Sequence, residues 1–211
     1  MGDEIGLRER KKRQTRKLIS DVASGLFIRR GFDNVTVAEV AEAAGVSTKT
    51  VFNYFPRKED LFLDRFPEAV ELITQAVRER PEGERPLSAL RRLVLGLLER
   101  RHPLGGMGDG YEYFWQVVLD SPGLQARARE WADELESLLA ALLAEAAGAE
   151  PGDPWPRVEA ALVVAAYRTA YATGVRRIMA GERADDVIED HIALLNRSFD
   201  ALERALDLDP R

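Results

Sequence analysis

The stretch with the most pointed chemistry is Thr36-Val-Ala-Glu-Val-Ala-Glu-Ala-Ala-Gly45-Val-Ser-Thr-Lys-Thr-Val-Phe-Asn-Tyr-Phe55-Pro-Arg-Lys58-Glu-Asp-Leu61. Helical spacing puts Thr48, Lys49, Phe52 and Asn53 on one outward face, with Val46, Val51 and Phe55 turned inward. The chemistry open to that face is recognition. Asn can bind adenine through two hydrogen bonds, Lys can reach guanine O6 and N7, and a Thr methyl can touch the thymine methyl. Such a face suits a helix lying in the major groove of duplex DNA.

A second group of residues offers a different chemistry. Tyr111, Tyr113, Phe114 and Trp115 cluster on one predicted helix, Trp131 lies on the next, and Tyr167, Arg168 and Tyr171 on the one after. With Phe66 from an earlier helix, these rings could line the cavity that a drug-sized apolar ligand needs; plain core packing is the alternative for each of them. Arg168 sits among alanines and tyrosine, where it could pair with an acidic ligand or with a carboxylate such as Glu112. No catalytic set is found. There is no cysteine, His102 and His191 lack partners at metal-ligand spacing, and Gly105-Gly-Met-Gly-Asp-Gly110 follows His102-Pro103 rather than a strand, so it lacks the setting of a phosphate loop. The chain is therefore not expected to be an enzyme, and no cofactor or metal is expected.

The elements that must position these residues are helices throughout, and the expected fold class is all-α with about nine of them. Ile19, Val22, Ala23, Leu26 and Phe27 form one stripe on a first helix over residues 8–30, which Gly31 ends. Thr36 with Glu39 three residues on reads as a capping box opening a second helix with Val37, Val40, Ala41 and Ala44 inward. Gly45 supplies the turn and Ser47 the N-cap of a third helix through Phe55. A fourth helix is expected from Lys58 to Arg80, kinked near Phe66 because Pro67 falls inside it. Pro81–Pro86 is a linker by composition, and further helices are expected near 87–101, 109–120, 123–147, 156–180 and 185–207.

Charge divides the chain. Residues 1–60 hold 12 Lys+Arg against 9 Asp+Glu, whereas residues 61–211 hold 18 against 27. All five lysines lie in the first segment, and seven of the ten residues Arg8–Lys17 are cationic. A basic segment on an acidic body is the footprint of a nucleic-acid-binding head, although the run Arg8–Lys17 could either track phosphates or be merely solvated. The domain expectation is accordingly 1–60 and 61–211. No apolar run is long enough to span a membrane, no leader pattern opens the chain, and the absence of cysteine fits a reducing cytoplasm.

From Thr15 to about Leu63 the chain resembles the DNA-binding domain of the TetR family of bacterial transcriptional regulators. The resemblance rests on Gly45, Val46-Ser47, Phe52, Tyr54-Phe55, Lys58 and Leu61 at fixed spacing. It implies that Thr36, Ser47, Thr50, Tyr54 and Lys58 contact DNA phosphates while Thr48, Lys49, Phe52 and Asn53 face bases. Phe52 departs from the tyrosine usual in the family, which removes a phenol that often meets a phosphate. The resemblance further implies a homodimeric, ligand-responsive repressor that binds a palindromic operator and is released by a small-molecule effector. A DNA-binding protein with no ligand is the main alternative. The last two helices read as the dimer surface. Ala160–Gly174 is rich in small residues and Ile188–Leu202 carries an apolar stripe, so Leu162, Ala166, Ile188, Ile192, Leu195 and Phe199 are the candidate interface; satisfaction of both faces within one chain is the alternative.

Overall fold

The computed structural model describes residues 2–206, with side chains from residue 8 onward. The described residues form nine α-helices and no strand: α1 Gly2–Arg30, α2 Val37–Ala43, α3 Thr48–Tyr54, α4 Phe66–Arg78, α5 Pro86–Glu99, α6 Tyr111–Asp120, α7 Pro122–Ala147, α8 Trp155–Met179 and α9 Ala184–Leu206. They divide into two compact units. One, the head, holds the chain up to Asp64 together with Gln116–Ala128; the other, the body, holds Arg65–Trp115 and the chain from Arg129 onward.

The head is built around a small apolar interior. Ile19, Ala23 and Phe27 of α1 are fully buried, as are Val35, Val40, Val51 and Leu61. Phe27 meets Phe32 at 4.9 Å and Phe62 edge-on at 5.8 Å, the geometry aromatic rings prefer. The expected capping box opens α2. The Glu39 amide donates to Thr36 Oγ1 at 3.2 Å, and the Thr36 amide donates to Glu39 Oε2 at 2.8 Å. Gly45 has φ 66°, a left-handed conformation that side chains resist, and this lets Val46 donate back to the Ala41 carbonyl at 2.9 Å. Ser47 caps α3 by accepting from the Thr50 amide at 3.1 Å.

The stretch Gln116–Ala128, which the sequence division at residue 60 leaves to the second domain, completes this interior. Leu124 is fully buried, Arg127 pairs with Asp60 at 2.9 Å, and Ser121 Oγ donates to Asp33 at 3.4 Å. A side chain on Gly123 would press on Glu59 at 3.3 Å, so this turn lies directly against the head's first segment.

The kinked fourth helix is not found. Residues Glu59–Leu61 form a single 3-10 turn, and α4 starts afresh at Phe66 with Pro67 in its first turn. There the missing proline amide is one that no helix would have satisfied, and the fixed φ suits helix entry, so Pro67 starts this helix instead of bending one.

The body is held by packing of α8 on α9, α4 on α5 and α5 on α9. Val77, Leu87, Leu90, Leu98, Leu139, Leu142, Leu143, Val163, Leu195 and Phe199 form its main core. Arg91 of α5 ties α9 down, donating through Nε and Nη2 to Asn196 Oδ1 at 3.0 and 2.6 Å and through Nη1 to Asp200 at 2.7 Å. A second cluster joins Met107 to Ile178, Ala184, Val187 and Ile188. The stripe expected on a dimer surface thus serves the chain's own core: Ile188, Leu195 and Phe199 are buried in the body, because α9 turns its apolar face to α8 and α5. Ile192 is half-buried against both clusters, and Ala166 is half-buried on α8. Of the six candidates only Leu162 is exposed, in line with Val158, Ala165, Thr169 and Ala172 on α8.

Candidate functional site

The outward face of α3 is present as its spacing requires. Thr48, Lys49, Phe52 and Asn53 are all exposed, Phe52 at 47% despite its apolar ring, while Val51 beneath them is fully buried. Arg16 of α1 fixes the far end of this helix. Its guanidinium donates to the Tyr54 carbonyl at 2.8 Å and the Asp64 carbonyl at 2.9 Å and lies 4.2 Å from the centre of the Phe55 ring. Ser20 Oγ donates to Asp64 at 2.6 Å, so α1 holds both the end of α3 and the chain that leaves it.

The residues implied as phosphate contacts are placed less uniformly. Ser47 is exposed and Thr50 half-buried, their hydroxyls 2.8 Å apart; Tyr54 is half-buried. Thr36 is exposed, but its hydroxyl is engaged with Glu39, and the Glu39 carboxylate itself occupies the start of α2. The Thr36 backbone amide, the Arg30 guanidinium and the Thr36 hydroxyl together hold the Glu39 carboxyl down at about 2. An anion already sits where a phosphate was expected. Lys58 turns inward: its ammonium donates to the Phe32 carbonyl at 2.7 Å and lies 4.2 Å from the centre of the Phe32 ring, and desolvation lowers its pKa. One of its three N–H groups is used there.

In the body the structure joins most of the expected aromatic residues into one run. Tyr111 meets Phe114 at 6.1 Å, Phe114 meets Trp115 at 5.0 Å, Trp115 meets Tyr171 at 5.5 Å, and Tyr171 stacks on Tyr167 at 5.6 Å. Phe66 and Trp131 form a further stacked pair at 4.7 Å. Trp115 Nε1 donates to the Gly106 carbonyl at 2.9 Å, and Tyr111 donates its hydroxyl to the Pro103 carbonyl at 3.0 Å. The glycine-rich loop 103–110 is thereby a wall of the cluster. Gly106 permits a close approach, since a side chain there would overlap the Tyr171 hydroxyl.

Arg168 does not join this run. It is exposed and makes no ion pair with a described side chain, because its place on α8 lies off the stripe that carries Tyr167 and Tyr171. Met107, Gly106, Gly174 and His191 belong to the site instead, though ring types and spacing did not single them out. His191 is 3% exposed and lies 6.4 Å from Tyr171, with neither ring nitrogen in a hydrogen bond of ordinary geometry. Desolvation lowers it to about 4, outweighing a small opposing effect of the Ala170 backbone, so the ring is neutral near pH 7. The Tyr167 and Tyr171 hydroxyls also make no hydrogen bond with a described group; burial pushes Tyr167 up to about 12 and Tyr171 well above its usual range. The site is apolar and aromatic, with neutral hydrogen-bonding groups left open.

Comparison with known proteins adds three findings. Residues 19–64 match the family model described as "Bacterial regulatory proteins, tetR family", and residues 115–207 match the "MftR C-terminal domain". The chain is 32% identical to the HTH-type transcriptional regulator TcmR of Streptomyces glaucescens, over 98% of this chain and 90% of that one. It is 49% identical over 43 residues, 20% of this chain and 21% of that one, to the HTH-type transcriptional regulator LuxR of Vibrio harveyi. Among solved structures, native NalD, the secondary repressor of the MexAB-OprM multidrug efflux pump of Pseudomonas aeruginosa, superposes with a TM-score of 0.55 at 20% identity, covering 88% of this chain and 97% of that one. A SmeT–triclosan complex gives 0.56 at 16% identity, covering 89% and 91%. These two share the fold.

Proposed function

Because the chain belongs to the TetR family of bacterial transcriptional regulators, we propose that it is a repressor that binds a palindromic operator as a homodimer and leaves it when a small molecule enters the body. The observation that carries this reading is α3: a short helix, locked by Gly45, Ser47 and Arg16, whose exposed face is Thr48, Lys49, Phe52 and Asn53. Thr48, Lys49 and Asn53 read base edges, Phe52 packs on a thymine methyl or a sugar, and Ser47, Thr50 and Tyr54 meet backbone. The reading domain centres on residues 1–60 and the sensing and dimerising domain on 61–211, both acting in the cytoplasm.

The dimer forms through the exposed stripe Val158, Leu162, Ala165, Thr169 and Ala172 of α8, whose small residues let a symmetry mate approach closely. Two α3 helices then stand about 34–36 Å apart, or more on a distorted operator, and read successive major grooves. The effector is uncharged and aromatic. It stacks within the run from Tyr111 to Tyr167, and its polar atoms meet the open hydroxyls of Tyr167 and Tyr171, where a charge would find no partner on these rings. The helix α6 carries Tyr111, Phe114 and Trp115 at its body end and Val117 and Val118 at its head end, so it is the element a ligand would displace.

The test is a closed cycle. Duplexes selected from a random pool give the operator, and light scattering gives the stoichiometry. Uncharged polycyclic phenols and their carboxylate counterparts are then screened by thermal shift and tryptophan fluorescence. A compound that binds should weaken operator binding by the same factor by which operator weakens its own, about 5–150-fold. Selection of no sequence at all would end the repressor reading. A bound compound that leaves operator affinity unchanged would end the switch alone.

A further inference from the structure

We propose that the first turns of α1, from Arg8 to Arg13, form a second and sequence-independent contact with duplex DNA, clamping the phosphates that flank the groove read by α3. The inference rests on the reading of this chain as a DNA-binding regulator and extends it to a segment with no role so far.

Five cations, Arg8, Arg10, Lys11, Lys12 and Arg13, lie within six residues, with Glu9 the one acid among them. They belong to the continuous helix α1, yet every residue from 8 to 14 is exposed. This part of α1 therefore buries no face against the chain. None of the five cations makes an ion pair or hydrogen bond with a described side chain, unlike Lys17, which pairs with Asp21 at 2.5 Å.

Such a segment has little to hold it helical by itself. On a helix, residues three and four apart are neighbours, and like charges there repel. Arg8 faces Lys11 and Lys12, and Arg10 faces Arg13; only Glu9, facing Lys12 and Arg13, opposes this. A helix that is polar on every side and self-repelling is stabilised by a polyanion laid along it.

The segment is also aimed. Arg16, one turn further on, is bonded to the Tyr54 carbonyl at the end of α3. The cationic turns thus continue, in the same helix, the element that holds the reading helix. At about 1.5 Å per residue, Arg8 stands about 12 Å beyond Arg16, a reach of three to four phosphates along one strand. Residues 61–211 carry 27 acids against 18 Lys+Arg, so they offer the duplex no competing attraction overall. Phosphate is the ligand chemistry, and duplex DNA is the source to which the anchoring to α3 commits it.

The experiment uses the full chain and a fluorescein-labelled 40-base-pair mixed-sequence duplex, with anisotropy read across a series of salt concentrations. In the variant R8Q/R10Q/K11Q/K12Q/R13Q, each phosphate that is no longer neutralised lowers the slope of log K against log salt by about 0.9. A fall equivalent to three or more phosphates per protomer is expected, with the thermal midpoint unchanged because no packed face is altered. Glu9→Gln should tighten binding slightly. Amide hydrogen exchange of residues 8–16 should slow when the duplex is added to the wild-type chain. An unchanged slope in the five-fold variant, or exchange indifferent to the duplex, overturns the proposal. Failure of the wild-type chain to bind any duplex would instead remove the DNA-binding reading itself, so the two failures are distinct.

Discussion

Two helices of this molecule use amphipathicity in opposite ways. α3 is seven residues long and buries only Val51 deeply, presenting Thr48, Lys49, Phe52 and Asn53 outward. α9 is 23 residues long and buries Val187, Ile188, His191, Leu195 and Phe199 along one face. In α3 the informative side is the polar one, because the few apolar residues are spent on local anchoring. In α9 the apolar side is consumed by the chain's own core, so whatever meets another molecule must lie on other faces. Substitution on α3 should therefore alter binding without altering the fold, and substitution on the α9 stripe should do the reverse.

The largest effect is expected at Leu195. Truncation of this buried side chain to alanine should cost about 2–5 kcal/mol in urea unfolding, with the proposed dimer kept by the folded fraction. Leu162→Arg on the exposed stripe of α8 should do the opposite, holding the urea midpoint while light scattering reports monomers. If Leu195→Ala dissociated the dimer at constant stability, the contrast between inward and outward faces would be wrong.

Asn53→Ala comes next, at about 1–3 kcal/mol of operator affinity, with preference relaxed at one position per half-site. Its thermal midpoint should match the parent, because the Asn53 side chain is exposed. Thr36→Ala removes the cap of α2 and should lower stability by about 1 kcal/mol, measured by thermal or urea unfolding. The smallest effect is a pH dependence. The folded carboxyl of Glu39 titrates at about 2 instead of 4.5, so its contribution is whole above pH 4.5 and is lost as pH falls toward 2. Glu39→Gln should flatten the acid limb of the stability curve in that window by lowering stability at neutral pH toward the parent's value near pH 2; an acid limb unaltered by the substitution would show that the cap does not hold the charge.

The same contrast explains what could be read from the residues. The capping box at Thr36 and Glu39, the Gly45 turn, the Ser47 cap and the outward set on α3 were all legible, because each depends on neighbours within a few positions. Pro67 misled because its pattern fits a kink or a start equally, and only the 3-10 turn before it decides. The α9 stripe reads as an apolar face for a second copy, because the helices that cover it within the body include one distant in sequence: α5, whose Arg91 reaches Asn196, lies 105 residues away. The inward turn of Lys58 and the outward place of Arg168 are hidden for a related reason: side-chain direction depends on Phe32 in one case and on the stripe of α8 in the other. His191 and Gly106 carry no ring-to-ring pattern, and only the fold brings them to Tyr171.

The discontinuity of the head has a consequence for how the protein is made. Residues up to Asp64 can form α1 to α3 as they emerge, but Leu124 and the Arg127 partner of Asp60 are still to be synthesised. At about 5–20 residues per second, the ribosome takes about 3–13 s to deliver the stretch from 65 to 128. During that interval Phe32, beside Gly123 in the finished head, is without part of its cover. The head's interior is thus completed only after the aromatic residues of α6 have been translated, and a nascent chain cut short before residue 116 carries a reader that lacks part of that interior.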